Sequence, residues 1–233
     1  MRTAAILPVK RFDQAKQRLG ASVADALRLA LARAMVADVL DALAQTAAIE
    51  LTIVVTRERS VAEAARELGA IVLDDEAESG QSAAAGLGVM RALAEGMERV
   101  LCVPGDCPTL DPAELQALLD TSSDAVGGGP AREVVIVPDR HGSGTNGLLL
   151  APPDAISPSF GPDSCARHRA LAQAAGIDVR LQRPPSLLLD IDTGADLAAL
   201  RERLAGHAAR ARRTRAVLGQ PERIQIIPLT TPV

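Results

Sequence analysis

Short β-branched runs alternate along this chain with longer segments rich in alanine and leucine. Runs such as Leu51–Thr56 and Val100–Val103 have the length of buried strands, and a pattern of helical length follows each one. This alternation is typical of βαβ units, in which helices cover a mostly parallel sheet. The chain has 233 residues, a length typical of one α/β domain, and neither a repeat nor a linker divides it. The sequence therefore predicts an α/β fold of one domain with a mostly parallel central sheet.

The predicted elements follow one another closely along the chain. Strands are predicted at Thr3–Val9, Leu51–Thr56, Ala70–Leu73, Val100–Val103, Glu133–Val137, Asn146–Leu150, Val179–Gln182 and Leu187–Ile191. Helices are predicted from Ser22 to about Thr46, over Ser60–Leu68 and Gln81–Glu95, from Asp111-Pro112 onward, and over Asp163–Ala175 and Ala195–Ala205. In the first helix apolar residues recur at every fourth position, which predicts a buried face of Leu27, Leu31, Met35, Val39 and Leu43.

Composition excludes several classes of function. The chain has two Phe and neither Trp nor Tyr, so recognition of nucleic acid by base stacking is not expected. Charged residues interrupt every long apolar stretch and the first segment resembles a strand, so we expect no membrane span and no signal peptide. The three cysteines have neither zinc-site nor CxxC spacing. These features predict a reduced, cytoplasmic protein without nucleic-acid or membrane partners.

The C-terminal segment differs from the rest of the chain. Residues 206–219 carry four arginines and no acid, and an apolar run at Ile224–Leu229 follows. We therefore divide the chain into a domain at 1–205 and a basic C-terminal extension at 206–233. The extension is expected to lie outside the catalytic machinery. The sequence leaves open whether it is disordered, continues the last helix or contacts a partner.

Positive charges gather in the loop after the first predicted strand, where nine residues hold Lys10, Arg11, Lys16 and Arg18. Ligands of open α/β sheets bind at the carboxyl ends of the strands. Lysine and arginine there could hold a triphosphate, lysine as a point charge and arginine as a fork. The alternative is a solvated basic turn. Neither a GxGxxG dinucleotide motif nor a GxxxxGK[ST] phosphate loop occurs in the chain.

Acidic residues follow two other predicted strands. Asp106 comes after Val100–Val103 and is flanked by Gly105 and two prolines, and Asp190 and Asp192 lie at the end of Leu187–Ile191. Mg²⁺ is usually bound through one or two carboxylates together with substrate phosphates. The sequence therefore predicts a magnesium site, with a helix cap as the alternative role for Asp192 or its neighbour Thr193.

Two glycine-rich segments could bind anions. Residues 138–146 place Gly142, Gly144 and Thr145 between two predicted strands, and Phe160–Ser164 opens a helix. Glycines let backbone N–H groups approach an anion, and a helix N-terminus favours negative charge. A mobile hairpin and a plain helix cap are the alternatives. Gly80-Gln81-Ser82, at another helix start, is a weaker signal of the same kind.

Taken in order, five segments resemble the guanylyltransferases of coenzyme F420 biosynthesis. These enzymes join GMP to phosphoenolpyruvate or to 2-phospho-L-lactate. The resemblance covers about residues 3–205, and the segments are LPVK with AKxRL at residues 7–19, GDxP at 105–108, DRxGxGTN at 139–146, FGxxSxxxH at 160–168 and LDxDT at 189–193.

The resemblance implies a Rossmann-like nucleotidyltransferase fold, with GTP as the co-substrate, Mg²⁺ as the cofactor and pyrophosphate as the leaving group. It implies that the phosphorylated acid is bound by Thr145, Gly161 and Ser164, and that metal is held by Asp106, Asp190 and Asp192. The implied nucleotide contacts are Leu7, Pro8, Val9, Lys10, Arg18 and Gly80. The implied catalytic residues are Lys10, Lys16 and Asp106, with either lysine facing the pyrophosphate. The family's usual Gly-Leu-Asn is Gly80-Gln81-Ser82 here, which leaves the guanine-reading side chains open.

The acceptor expected from this resemblance is phosphoenolpyruvate. The Ala- and Arg-rich composition points to a GC-rich bacterial genome, and the bacterial branch of the family is associated with that acid. One alternative is 2-phospho-L-lactate or another small phospho-acid as the acceptor. Others are a sugar-phosphate or molybdopterin nucleotidyltransferase on the same fold, a glycosyltransferase, and a non-catalytic flavodoxin-like module. The expected partners are the small-molecule substrates, and a homodimer or a contact with the next enzyme of the pathway is a further candidate.

Overall fold

The computed structural model describes residues 1–12, 24–121, 132–206 and 210–219. Seven strands form one sheet in the order β3-β2-β1-β4-β6-β5-β7. The strands are β1 (Thr3–Val9), β2 (Leu51–Thr56), β3 (Ile71–Leu73), β4 (Arg99–Cys102), β5 (Glu133–Pro138), β6 (Thr145–Ala151) and β7 (Val179–Leu181). The helices are α1 (Asp25–Ala44), α2 (Arg59–Glu67), α3 (Gln81–Ala94), α4 (Pro112–Asp120), α5 (Ser164–Ala174), α6 (Gly194–Gly206) and α7 (Arg212–Leu218). The predicted α/β fold with a mostly parallel sheet is confirmed.

The reversed direction of β6 shapes the functional edge of the sheet. The pairs β1–β2, β2–β3, β1–β4 and β5–β7 are parallel, whereas β6 is antiparallel to both of its neighbours. Cys102 of β4 faces Leu148, so Thr145 at the start of β6 lies beyond the carboxyl end of β4. The N-terminus of β6 therefore reaches the edge where the parallel strands end.

Helices pack on both faces of the sheet, as a parallel arrangement requires. One core cluster contains apolar residues of α1, α2 and α4, and the other contains residues of α3 and α5. The predicted buried face of α1 is confirmed for Val39 and Leu43, which join the first cluster, and for Leu31 and Met35, which form a third cluster with α6. Leu27 is only partly buried against that third cluster. Asp111 caps α4 at the predicted helix start, because its carboxylate accepts the N–H of Ala113 at 3.0 Å.

The strand predicted at Leu187–Ile191 is wrong. Pro185–Leu187 form a short 3₁₀ helix, and irregular backbone leads from there to α6. The N–H groups of Leu187 and Leu188 donate to the carbonyls of Pro184 and Pro185 at 3.0 and 3.4 Å, so the turn that these prolines favour takes up the first donors of the segment. The Ile191 N–H instead donates to the Asp106 carbonyl at 3.1 Å. The acids at 190 and 192 therefore lie on a loop held against the β4 loop, and strand alternation does not explain their placement.

Part of the C-terminal segment forms a helix that packs on α1. The buried Asp38 carboxylate of α1 accepts the N–H groups of Arg213 and Thr214 at 3.0 and 2.8 Å. A carboxylate at a helix N-terminus satisfies unpaired donors and opposes the positive end of the helix dipole. The sequence pattern did not predict α7, because its arginines obscure the apolar spacing that is typical of a packed helix. The division of the chain at residue 206 stays a prediction.

Two further expectations concern the membrane and the cysteines. None of the described helices is long and apolar enough to cross a membrane. Cys102, Cys107 and Cys165 are free thiols buried in the structure.

The close approach of α3 to β1 depends on Gly88. A Cβ at this position would lie 2.4 Å from Cγ2 of Ile6, whereas a Cβ at Gly86 of the same helix would meet nothing within 4 Å. We expect Gly88→Ala to lower the free energy of unfolding by about 1–3 kcal/mol, because it overpacks the core. Gly86→Ala should raise it by up to about 1 kcal/mol, because alanine favours a helix. Denaturant unfolding of both variants checks this, and equal effects of the two would contradict it.

Candidate active site

A cavity of about 830 Å³ opens at the edge of the sheet where the parallel strands end. Loops after β1, β3 and β4, the start of β6 and the starts of α3 and α5 form its walls. The predicted site residues among those that line it are Pro8, Val9, Lys10, Gly80, Asp106, Thr145, Gly161, Ser164, Asp190 and Asp192. Candidate residues from six separate segments therefore share one cavity.

Some of the predicted residues lie elsewhere. Leu7 is fully buried in the core beside the cavity, and its contact with a nucleotide stays a prediction. Lys16 and Arg18 lie outside the described residues, as do Ser22 and the apolar run Ile224–Leu229.

The three acids lie on two loops that are held together. Besides the Ile191–Asp106 backbone bond, the Asn146 amide donates to Asp190 Oδ1 at 3.1 Å and to the Leu187 carbonyl at 2.8 Å. Burial, followed by the negative charge of Asp106, raises the pKa of Asp190. A divalent cation would relieve both effects, since it stabilises ionised carboxylates. Asp106 and Asp190 line the same cavity on loops that these bonds hold together, so both are candidates to contact one ion.

The acids do not form a complete protein cage. In the described ranges, no three His, Cys, Asp or Glu side chains are gathered closely enough to make a metal cluster. Mg²⁺ keeps several waters and substrate oxygens when it binds in phosphoryl-transfer sites, and one or two carboxylates suffice. The donor set fits a magnesium ion whose coordination is completed by phosphates.

Asp196, which the sequence analysis did not select, organises the loop before α6. Its Oδ2 accepts the N–H groups of Asp192 and Thr193 and the Thr193 hydroxyl at 3.1, 2.7 and 2.8 Å. Thr193 Oγ1 in turn accepts the Asp196 N–H at 3.3 Å, so the two residues cap α6 reciprocally. The capping role therefore belongs to Thr193, and the Asp192 side chain is left to line the cavity.

Asp196 also joins this loop to the glycine-rich loop before β6. Its second oxygen, Oδ1, pairs with Arg140 Nη2 at 2.5 Å. Burial alone would raise the pKa of Asp196, but the hydrogen bonds from Thr193 and Asp192 and the charge of Arg140 lower it. The carboxylate thus stays ionised and holds two walls of the cavity.

His168 determines how the Thr145 hydroxyl points. Its ring is fully buried, and its Nε2 accepts the Ser159 N–H at 2.8 Å, so that nitrogen carries no proton. Burial, followed by the charge of Arg167, lowers the pKa of His168 to about 4, which keeps the ring neutral. The proton must then lie on Nδ1, which is 3.1 Å from Thr145 Oγ1. Because Oγ1 accepts the hydrogen bond from Nδ1–H, its own O–H can donate one to a ligand in the cavity.

The loop before α5 is fixed by hydrogen bonds to Arg167 of α5 and to Ser82 of α3. Arg167 donates to the carbonyl oxygens of Ser159 and Phe160, each at 3.0 Å, and to that of Pro162. Gly161 adopts φ +108°, which L side chains rarely adopt. The Phe160 N–H donates to Ser82 Oγ of α3 at 2.8 Å. The Ser82 that departs from the family pattern therefore joins two walls of the cavity.

Comparison with known proteins identifies similar chains. Residues 3–214 match the family model described as "Guanylyl transferase CofC like". A phosphoenolpyruvate guanylyltransferase of Conexibacter woesei is 51% identical over 220 residues, covering 94% of this chain and 96% of the relative. A 2-phospho-L-lactate guanylyltransferase of Methanothermobacter thermautotrophicus is 36% identical over 197 residues, covering 84% and 83%.

Solved structures share the fold. A Desulfovibrio desulfuricans protein assigned as a nucleotide-diphospho-sugar transferase superposes with a TM-score of 0.73 at 17% sequence identity, covering 96% of this chain and 97% of that one. At this identity the likeness shows the fold, and the Rossmann-like nucleotidyltransferase architecture expected from the sequence is confirmed.

The neutral state of His168 lowers the free energy of unfolding at low pH. Its pKa is lowered from 6.5 to about 4 in the folded chain, so the unfolded chain binds this proton at a higher pH than the folded chain does. Stability present above pH 6.5 is therefore lost as the pH falls towards 4. Between about pH 7.5 and about pH 5, the free energy of unfolding should fall about 2 kcal/mol more in the wild type than in His168→Gln.

The control for this prediction is the exposed His141. Denaturant unfolding across the pH range should give His141→Gln the wild-type pH dependence. An unchanged pH dependence in His168→Gln would contradict the proposed neutral ring.

Proposed function

The chain belongs to the family of CofC-like guanylyl transferases, and from this premise we propose that it transfers GMP from GTP to phosphoenolpyruvate. The products are enolpyruvyl-2-diphospho-5'-guanosine and pyrophosphate, in the biosynthesis of coenzyme F420. The observation that carries the proposal is one cavity lined by the three proposed metal acids together with Thr145, Gly161 and Ser164. The 51% identity with a phosphoenolpyruvate guanylyltransferase supports the choice of acceptor.

The reaction needs no nucleophile from the protein. A phosphate oxygen of the acceptor is already ionised near neutral pH and attacks the α-phosphorus of GTP. A new P–O bond forms as the bond between the α-phosphorus and its oxygen to the β-phosphate breaks, and pyrophosphate leaves with that electron pair. Such a transfer depends on positioning the reactants in line and on neutralising charge. A cavity lined by fixed polar groups suits it.

Asp106, Asp190 and Asp192 are the residues that would hold Mg²⁺. When bound, the ion would neutralise phosphate charge and hold attacking and leaving oxygens in place. The protein's own contribution is to fix the acids before the substrate arrives, through Asn146, Asp196 and the Ile191–Asp106 bond. This preorganisation avoids reorienting the groups during the reaction.

The acceptor's charged groups are assigned to the wall made by Thr145, Gly161 and Ser164. Thr145 would donate a hydrogen bond from its hydroxyl, because Oγ1 already accepts one from Nδ1–H of His168. Ser164, buried at the start of α5, would add a hydroxyl beside a helix N-terminus. Lys10 lines the cavity at the end of β1, where it would face the triphosphate and the leaving pyrophosphate. Roles for Lys16 and Arg18 in the same loop remain part of the proposal.

The alternatives are less well supported. The relative that uses 2-phospho-L-lactate is 36% identical, against 51% for the relative that uses phosphoenolpyruvate. The match to a guanylyl transferase family over residues 3–214 disfavours a non-catalytic module. We assign the reaction to the cytoplasm, where buried free thiols are expected to stay reduced. A homodimer or a contact with the next enzyme remains a prediction from the sequence.

The assigned metal acids can be tested directly. We expect Asp106→Asn and Asp192→Asn each to lower the rate of pyrophosphate release more than tenfold, a loss of at least about 1.4 kcal/mol, because an amide is a weaker ligand for Mg²⁺. Asp154→Asn, at an exposed position, is the matched control and should keep the wild-type rate. A folded Asp106 or Asp192 variant that kept more than a tenth of the rate would remove that residue from the metal site.

The acceptor is tested by offering GTP and Mg²⁺ with each acid in turn. Pyrophosphate release and the mass of the guanylylated product should give a higher kcat/KM for phosphoenolpyruvate. Contacts with so small a carbon fragment discriminate by roughly 1–3 kcal/mol, so some product is also expected from 2-phospho-L-lactate. A higher kcat/KM for 2-phospho-L-lactate would reverse the acceptor, and no product from either acid would refute the proposed reaction.

A further inference from the structure

An acidic side chain at the far end of the cavity has no role in the mechanism above. Asp75 follows β3 and lines both the main cavity and a side cavity of about 80 Å³, which it shares with Lys10 and Gly80. Its Oδ1 is buried, and no hydrogen-bond partner reaches that atom from the described part of the chain. A buried carboxylate oxygen without a donor is costly, since such groups are nearly always paired. This oxygen therefore suits a ligand that brings donors.

The neighbouring charges do not supply those donors. The nearby arginine, Arg57, pairs with Asp74, the residue before Asp75, with Nε and Oδ1 3.4 Å apart. The backbone carbonyl of Asp75 accepts the Glu78 N–H at 3.1 Å, which holds the turn between β3 and α3. Asp75 is thus fixed by its backbone, while its Oδ1 is left for another molecule.

The order of the strands shows which part of a nucleotide would reach Asp75. Along the edge of the sheet, Asp75 follows β3, Lys10 follows β1, Asp106 follows β4, and Thr145 begins β6. The acids, where the α-phosphorus would react, lie between the acceptor wall and Asp75. Three strand spacings separate β3 from β4, about 14 Å at the usual spacing, which a nucleoside can bridge. The base end of GTP is therefore directed towards Asp75.

Guanine offers the donors that Asp75 lacks. Its N1–H and its 2-amino group point from the same edge, and a carboxylate can accept from both. Adenine has an acceptor at N1 and no 2-amino group, so its ring nitrogen would face the carboxylate without a proton between them. We infer that Asp75 accepts hydrogen bonds from N1–H and the 2-amino group of guanine and thereby selects GTP. This inference rests on the proposed function, and it assigns the base recognition that the Gly80-Gln81-Ser82 departure left open.

The test exchanges one atom on each side of the contact. Asp75→Asn keeps an oxygen for N1–H but places an NH₂ against the 2-amino group of guanine. Xanthine carries a carbonyl at that position, which can accept from the new amide. We expect kcat/KM for GTP to fall roughly 10- to 100-fold in Asp75→Asn, because a buried donor meets a donor. We also expect kcat/KM for xanthosine triphosphate to rise above the wild-type value.

The wild-type protein gives a second measurement that needs no variant. Inosine triphosphate lacks only the 2-amino group, so the wild type should use it roughly tenfold less well than GTP, the effect of one lost hydrogen bond. Asp75→Asn should lose that preference. Asp74→Asn, which changes the exposed neighbour outside the cavity, is the matched control and should keep the wild-type order of nucleotides.

The outcomes separate this inference from the proposed function. If the wild type makes product from GTP while Asp75→Asn keeps the wild-type preference for GTP over the inosine and xanthosine nucleotides, the inference is overturned and the function stands. If the wild type makes no product, the function fails, and calorimetric titration with the three nucleotides still tests Asp75. Equal use of GTP and inosine triphosphate by the wild type would also overturn the inference, even if Asp75→Asn does not fold.

Discussion

The two walls of the active site are joined by the amide of Asn146. This side chain lies at the start of the reversed strand β6 and donates to the Leu187 carbonyl and to the Asp190 carboxylate. These partners lie 41 and 44 residues further along the chain, so the bonds form only in the complete fold. Because β6 is antiparallel, its N-terminus lies at the edge where the parallel strands end. The wall made by Thr145, Gly161 and Ser164 can therefore share that edge with the acids. The reaction geometry that we propose depends on that reversal.

The fold was predictable where local patterns agree with the global architecture. The Leu51–Thr56 strand and the fourfold spacing of Leu31, Met35 and Val39 are signals of this kind, and both are confirmed. The predicted strand at Leu187–Ile191 failed, because an apolar run can equally be a loop packed on a core. Its two preceding prolines were the available warning. The reversal of β6 did leave a signal, because the link from Pro138 to Thr145 is too short for a parallel crossover. Its pairing with β4 left none, since that depends on distant residues.

The site was predictable at the residues that would touch substrate and much less so at those that hold them. Asp106, Thr145 and Ser164 were selected from the sequence, and the structure places them in one cavity. The tautomer of His168 depends on a buried N–H nine residues away, which no spacing reveals. Asp196 did leave a signal, since Thr193-x-x-Asp196 has the form of a reciprocal helix cap. Residues that position others are identified by their hydrogen-bond partners, and those partners are known only once the fold is known.

The position of α7 has a consequence for how the protein is made. Asp38 is a buried carboxylate whose backbone donors lie 175 and 176 residues later, at Arg213 and Thr214. Synthesis proceeds from the N-terminus, so α1 leaves the ribosome long before the helix that satisfies it. Until then the Asp38 carboxylate must stay hydrated, and this part of α1 cannot be buried. The nascent chain therefore completes the packing of α1 only after α7 has left the ribosome.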